Sequence, residues 1–287
     1  MKKFIFHISY FILSATACTS LVQAQNLLPS SARNESLGGA DAAFGRSNFL
    51  SENPATGGND SLSPLHLQTS YAPEYAHIQT ANKLSAGIGY LSQPLSTLLS
   101  LSFSRLSYED IFSDQVMLLG ASHHFDLDSG RSASLGVRLR YESVSFTASY
   151  PTVHFFIADF GVQFSLTKEF SLGTYALNIL GSKFTTVSGD KEEIERTFGI
   201  GVAYTPEETG LSLFTKLDKG SKSDLSAYFG AEYFPVGSLA LRIGTTSEFT
   251  SVSGGIGLKY DILSFDFGAR YSGDLGTNLI FSIGASL

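Results

Sequence analysis

The sequence predicts an all-β fold: a transmembrane, outer-membrane β-barrel of about 14 antiparallel strands. Apolar and polar residues alternate at period two along most of the chain, which is typical of β-strands. Only 16% of the 287 residues are charged, and the N-terminus resembles an export signal. Roughly ten-residue alternating segments separated by turns are the pattern of outer-membrane barrels. These three observations together favour a membrane barrel.

The first 24 residues have the organisation of a secretory signal peptide. Lys2 and Lys3 precede an apolar stretch over 4–17, and Val22-Gln23-Ala24 offers the small residues of a cleavage site. The apolar stretch is too short to span a bilayer comfortably. We therefore expect export through a cleavable signal peptide to the cell outer membrane. Cys18, the only cysteine, would leave with the peptide; a faint lipoprotein box at 15–18 leaves its lipidation open as the alternative.

Fourteen segments alternate in this way, and each is predicted to be one strand. In chain order they are Leu65–Ala76, Lys83–Leu91, Leu98–Leu106, Val116–Phe125, Ala133–Phe146, Phe155–Leu166, Phe170–Leu180, Phe198–Tyr204, Leu211–Leu217, Ala227–Tyr233, Leu239–Ile243, Ile256–Ile262, Phe265–Tyr271 and Leu279–Leu287. An even number of strands returns both termini to the periplasm.

The charged residues of these strands lie on the face that also carries glycine and serine. This distribution predicts an inside-out barrel, in which the apolar face meets lipid and the polar face lines the lumen. A soluble β-sandwich or propeller remains the alternative. The predicted lumen charges are Arg138, Arg140, Glu142, Glu232, Arg242, Lys259, Asp261, Asp266 and Arg270.

The connections between strands are long at one predicted end and short at the other, as in outer-membrane barrels. The outward set is 108–115, 147–152, 181–195 and 218–224, and the periplasmic set includes the turns at 168–169 and 235–237. The chain then divides into a signal peptide (1–24), an N-terminal hatch segment (25–64) and the barrel (65–287).

Signals for catalysis or cofactors are weak, so we expect a protein that is not an enzyme and has no cofactor or metal. His123 and His124 are adjacent, and side chains adjacent on a strand point to opposite faces. The acidic run over 190–195 could bind a divalent cation, but a solvated loop is the favoured interpretation. The sequence pI near 5.3 argues against a nucleic-acid partner, because phosphate binding needs a basic face.

The hatch segment carries three short motifs before the first strand. Ser31-Ala32-Arg33 is followed by Leu37-Gly38-Gly39 and then by Asn53-Pro54-Ala55. Alone, Asn53-Pro54 reads as an ordinary turn. In this order and spacing the motifs resemble the N-terminal signature of the PorV/PorQ family of FadL-like outer-membrane barrels. Gly230–Tyr233 and Leu241–Gly244 also follow that family's pattern.

The resemblance implies a 14-stranded barrel whose hatch enters the lumen, and a structural or partner-binding role in the type IX protein secretion system. The partners implied are outer-membrane lipid and other envelope or secretion-system proteins, and the modest outward loops place the chain nearer PorQ. FadL-like relatives imply the alternative, a channel for uptake or export of hydrophobic small molecules. Phe44, Phe49 and Leu50 could line a pocket for such a ligand or merely pack.

The composition of the hatch suits a confined lumen. Gly38, Gly39 and nearby alanines are small enough to fit there. The hatch charges Arg33, Glu35, Asp41, Arg46 and Glu52 are expected to pair with charges of the wall. Such pairs would be partly buried, so losing one partner would cost more than losing a surface pair.

Overall fold

The computed structural model describes residues 28–44, 49–56, 63–73, 81–109, 111–127, 130–146, 152–185, 191–247, 250–273 and 276–287. The expectations for the signal peptide, Cys18 and Arg46 lie outside these residues. None of the helices in the described ranges is long and apolar enough to cross a membrane.

Within these ranges, fourteen strands form a closed antiparallel barrel, in which β16 pairs with β1 to complete the ring. The predicted all-β barrel of about 14 strands is confirmed. The described residues contain sixteen strands in all: β1 (Leu65–Ala72), β2 (Ala81–Ser92), β3 (Thr97–Tyr108), β4 (Phe112–Asp126), β5 (Ser132–Phe146), β6 (Val153–Ser165), β7 (Phe170–Leu177), β8 (Lys183–Thr185), β9 (Lys191–Glu193), β10 (Thr197–Tyr204), β11 (Leu211–Gly220), β12 (Leu225–Val236), β13 (Leu239–Thr246), β14 (Ser251–Tyr260), β15 (Leu263–Ser272) and β16 (Gly276–Ser286).

Two of these strands are not part of the barrel wall. β8 and β9 pair only with each other and form a small hairpin in the long connection between β7 and β10, which are neighbours in the wall. A 3₁₀ turn (Gln93–Leu95) joins β2 to β3 at the opposite end. Because barrels carry their short turns on the periplasmic side, we assign the end where β1 begins and β16 ends to the periplasm.

The wall is inside-out, as its alternation predicts. On β5, Val137 and Leu139 are 54% and 61% exposed on the outer face, whereas Arg138 and Arg140 are buried on the inner face. A charge facing lipid near the bilayer midplane costs about 2–4 kcal/mol. The scarcity of charge in the chain therefore follows from the outer face, since charged residues of the wall are confined to the lumen and the ends of strands.

Several predicted strand ends differ from the structure, and one predicted lumen charge lies in a turn. The outward connection predicted over 108–115 is tight, because β3 runs to Tyr108 and β4 begins at Phe112. The strand predicted to end at Leu180 stops at Leu177, where Asn178 takes a positive φ of 55°. Asp261, at φ 53°, lies in the exposed turn between β14 and β15 rather than on the lumen face. The alternation continues through both turns, so periodicity alone does not reveal them.

Candidate functional site

The hatch, here its described residues 28–44 and 49–56, lies inside the barrel and is mostly buried. It contains α1, a five-residue helix (Ala32–Ser36). Ser31 caps α1, because its hydroxyl accepts a hydrogen bond from the backbone amide of Asn34 at 3.3 Å. The Ala32 amide donates to the Ser282 hydroxyl of β16 at 2.7 Å, so the wall also holds the start of the helix.

Gly38 and Gly39 turn the chain after α1. Their φ angles of 70° and 84° lie in the left-handed region, which glycine adopts without strain. Gly38 also lies directly against the backbone of Gly244 and Thr245 on β13, where a side chain would overlap the wall. The Leu37-Gly38-Gly39 motif is thus explained by conformation and by close approach.

Glycines of the wall receive the backbone of the hatch. At each of these positions a Cβ atom would overlap a hatch residue: Gly136 faces Pro54, Gly161 faces Asn53, Gly173 faces Ala42, and Gly230 faces Leu37. The sequence predicted the glycine-rich lumen face only as a polar surface. The structure shows that the hatch packs on this face.

Asn53 connects two passes of the hatch to the wall. Its side-chain amide donates to the carbonyl oxygens of Ala42 at 2.7 Å and Val162 at 3.2 Å, and its side-chain oxygen accepts from the Ala55 amide at 3.0 Å. Asn53 is 1% exposed. The Asn53-Pro54-Ala55 motif therefore forms a buried bridge as well as a turn.

One buried ion-pair chain joins the hatch to β12, β13 and β15. Glu232 accepts hydrogen bonds from Arg33 at 2.7 and 3.0 Å and from Arg242 at 2.7 Å. Arg242 also donates to Asp266 at 2.6 Å. The guanidinium of Arg33 lies 4.5 Å from the ring centre of Phe44, within the range of a cation–π contact. Glu232 thus holds one cation of the hatch and one of the wall.

A second cluster is centred on Lys216 of β11. Its ammonium lies 2.5 Å from Glu52, 3.0 Å from Asp218 and 3.6 Å from Asp41. The Tyr175 hydroxyl lies between two of these carboxylates, 2.7 Å from Glu52 and 2.5 Å from Asp218. Lys216 is 2% exposed, so one buried cation holds two acidic residues of the hatch.

A third cluster fixes the last part of the hatch against β5 and β6. Arg138 donates to the carbonyl oxygens of Ser51 at 2.8 Å and Glu52 at 3.0 Å, and to Asp159 at 3.0 Å. Arg140 lies 3.8 Å from Asp159 and 4.0 Å from Glu142. The wall therefore binds the hatch backbone as well as its charges.

The pKa values of two hatch carboxyls, Asp41 and Glu52, are shifted in opposite directions. Burial raises the pKa of Asp41 to about 6, and the attraction of Lys216 offsets only part of this effect. Burial also acts to raise the pKa of Glu52, but the nearby Lys216 ammonium outweighs it and lowers the pKa below its usual value. For Arg33, burial acts to lower the pKa, and Glu232 outweighs it, so the guanidinium stays charged.

The remaining predicted lumen charges lie nearer the ends of the barrel. Arg270 pairs with Glu35 of the hatch at 3.0 Å, with both side chains about one-quarter exposed. Lys259 is exposed at the periplasmic end and lines the cavity described below. Asp261 lies in the turn between β14 and β15 and is not a lumen residue.

Sequence reasoning missed five lumen residues that carry hatch or wall contacts: Lys83, Asp159, Tyr175, Lys216 and Asp218. Each lies in or beside a predicted strand, at an inward position of the alternation. Reading the inner face of every predicted strand for polar atoms would have found them.

Two cavities with mixed polar and apolar linings flank the hatch. The outer cavity, of about 230 Å³, reaches from Glu35 and Asp41 of the hatch to Arg270 and Asn278 of the wall. The periplasmic cavity, of about 400 Å³, includes Arg33. Phe44, Phe49 and Leu50 are buried in packing clusters. Leu50 also lines the outer cavity, and Phe49 lines the periplasmic cavity.

The outer half of the lumen carries an apolar surface on β4, β5 and β6. Val144, Phe155 and Ile157 are buried there, and Phe112, Phe146, Val153 and Ile194 pack around them. We call these seven residues the outer apolar cluster. Six of them occupy inward positions of β4, β5 and β6, and Ile194 follows β9. In the β5–β6 register Phe155 lies opposite Glu142, and Ile157 lies opposite Arg140. The apolar surface is thus inside the barrel, in a lumen that would be polar in a water-filled porin.

Among the described residues, no group of three or more His, Cys, Asp or Glu side chains is arranged to hold a metal ion. His123 bonds to Thr97 at 2.9 Å on the outer face, and His124 bonds to Ser134 at 3.1 Å on the inner face. The two side chains point to opposite faces of the sheet, as those of adjacent strand residues do.

An apolar outer face, a closed ring of strands and a plugged lumen define the class of outer-membrane β-barrel proteins. The structure is similar to that of the Pseudomonas putida toluene transporter TodX, with a TM-score of 0.62 and 10% identity, over 91% of this chain and 99% of that one. It is also similar to a Pseudomonas aeruginosa FadL homologue (0.56, 12%, 89% and 97%) and to Acinetobacter baumannii Omp33 (0.53, 7%, 78% and 98%). These similarities show the fold.

No protein-family model matches the chain, and no curated protein matches its sequence.

Proposed function

We propose that this protein is a plugged channel through which small hydrophobic molecules cross the outer membrane, without catalysis. The observation that carries the proposal is a closed barrel with the hatch bound in its lumen, a path across the membrane that is closed by a plug. The outer apolar cluster adds buried apolar side chains to the outer half of this lumen. The proteins of similar fold include a toluene transporter and a FadL homologue, which supports the same class of function.

The hatch fits the role of a gate. It packs against the wall through glycines and three ionic clusters, so a solute passes only when part of the hatch is displaced. On the β13–β16 side the hatch borders both cavities, and its Glu35–Arg270 pair is partly exposed. Partly exposed ion pairs contribute little to stability, so this side is the easier one to release.

A role in the type IX secretion system is the second candidate, and it rests on the hatch motifs. Ser31, Gly38 and Asn53 are buried or packed against the wall, where each has a local task in capping, turning or bridging. Such residues do not form a surface for a secretion partner. Docking of the hatch accounts for the motifs without a secretion partner, and this supports the channel function.

The test separates the two candidates in one strain. We would delete the gene, restore it on a plasmid, and measure uptake of radiolabelled toluene and the profile of secreted proteins. The expected result is reduced toluene uptake in the deletion strain, recovery on complementation and an unchanged secreted profile. Unchanged uptake together with loss of secreted proteins would replace the channel proposal with the secretion role.

A further inference from the structure

Two residues that line the outer cavity each carry a buried polar atom without a hydrogen-bond partner in the described part of the chain. These atoms are Nε of Arg270 and Oδ1 of Asn278. Because a buried polar atom without a partner costs free energy, the wall of the cavity at these two residues is suited to a ligand that bonds to them.

Arg270 and Asn278 face each other across β15 and β16, as directly opposed residues of the antiparallel pair. Their free atoms offer one donor, the Nε–H of Arg270, and one acceptor, the Oδ1 of Asn278. A hydroxyl group both donates and accepts hydrogen bonds, so a single hydroxyl can satisfy the two residues.

The charges around the outer cavity disfavour an anionic head group. Its lining includes the carboxyls of Glu35, Asp41 and Glu52 against the cations Lys216 and Arg270. These cations are already paired, Lys216 with Glu52 and Arg270 with Glu35. A carboxylate placed here would meet uncompensated negative charge, whereas a neutral hydroxyl would not.

The same cavity has an apolar side. Leu28, Pro29 and Leu50 line it, and Leu28 also packs in a buried cluster with Leu118 and Leu177 of the wall. A ligand bound at Arg270 and Asn278 therefore meets apolar surface beyond its head group. The volume of about 230 Å³ is below the range of about 300–1,000 Å³ that is usual for drug-sized ligands, which limits the ligand to a small molecule.

We propose that the solute carried by this protein is amphipathic, with a small apolar body and a neutral hydroxyl head group that binds between Arg270 and Asn278. This inference rests on the proposed channel function and names its substrate class. It distinguishes the chain from a channel for pure hydrocarbons and from one for carboxylates.

The test compares three probes that share one ring: toluene, benzyl alcohol and benzoate. Uptake by the deletion strain is subtracted from uptake by the complemented strain, which leaves the part that depends on the protein. We expect protein-dependent uptake of benzyl alcohol to exceed that of both toluene and benzoate. If none of the three depends on the protein, the channel function itself fails. If toluene uptake depends on the protein and equals or exceeds benzyl alcohol uptake, only the present inference is overturned.

Variants of the wall locate the head group. Asn278→Ala is expected to lower the ratio of benzyl alcohol to toluene uptake by about fivefold, the effect of losing one hydrogen bond. Asn278→Ser replaces the amide with a hydroxyl, which can also accept a hydrogen bond, and should restore part of the ratio. The control Asn82→Ala makes the same change on the outer face of β2 and should leave the ratio unchanged. Heat-modifiable gel migration verifies that each variant forms a barrel, and an unchanged ratio in a folded Asn278→Ala barrel refutes the inference.

Discussion

Glu232→Gln is expected to loosen the hatch without unfolding the barrel. The carboxylate of Glu232 accepts two hydrogen bonds from Arg33 and one from Arg242, and its side chain is 3% exposed. Hydrogen bonds to charged groups contribute about 1.5–3 kcal/mol each. Glutamine keeps the shape and one acceptor oxygen but removes the negative charge that the two guanidinium groups share.

The substitution weakens docking of the hatch more than it weakens the barrel wall. Arg242 keeps Asp266 as a partner at 2.6 Å, whereas Arg33 has no second ion pair among the described residues. We expect docking to weaken by about 3 kcal/mol, of the order of one charged hydrogen bond lost outright and a second weakened. At about 1.4 kcal/mol per factor of ten, the released population would rise about a hundredfold.

The assay is limited proteolysis of the purified protein together with conductance in planar bilayers. Faster cleavage within the hatch and more frequent opening are expected for Glu232→Gln, with heat-modifiable migration unchanged. Glu208→Gln, an identical change at an exposed position in the turn between β10 and β11, is the matched control. Equal cleavage and equal conductance in the two variants would refute the role of Glu232 in holding the hatch.

Three further changes probe the other contacts. Gly173→Val should prevent docking of the hatch, because any Cβ there overlaps the Ala42 carbonyl, while Gly237→Val in an open turn should not; protease sensitivity of the two variants distinguishes them. Because the pKa of Asp41 is raised to about 6, docking should be stronger when Asp41 is protonated and weaken as pH rises from about 4 through 6; proteolysis at pH 5 and pH 7 checks this, and Asp41→Asn should flatten the difference. Arg138→Met should cost about 3–5 kcal/mol of stability, since it removes one donor from the buried Asp159 and the Arg138 donor from two hatch carbonyls; a midpoint of urea unfolding equal to that of the wild type would contradict this.

The barrel could be predicted from the sequence because its signal is local. Alternation at period two shows the face of each residue directly, so Arg138, Arg140 and Glu232 could be assigned to the lumen one strand at a time. Turns with a positive φ, such as those at Asn178 and Asp261, interrupt a strand without interrupting its alternation.

The site depends on pairings that no local pattern contains. Lys216 meets Glu52 across 164 positions of sequence, and Arg33 meets Glu232 across 199. The closed ring and the path of the hatch decide these contacts. The motif at Leu37-Gly38-Gly39 could be recognised, but its function in close packing against Gly244 required the position of β13.

Docking of the hatch also constrains the order in which parts of the protein fold. The Ala32 amide bonds to Ser282, 250 positions away, and the Ser253 hydroxyl bonds to the Ser36 carbonyl 217 positions away. Contacts of such high sequence separation form late, because the intervening chain must be ordered first. The hatch precedes all the strands of the barrel in the chain, yet it is among the last segments to reach its native contacts.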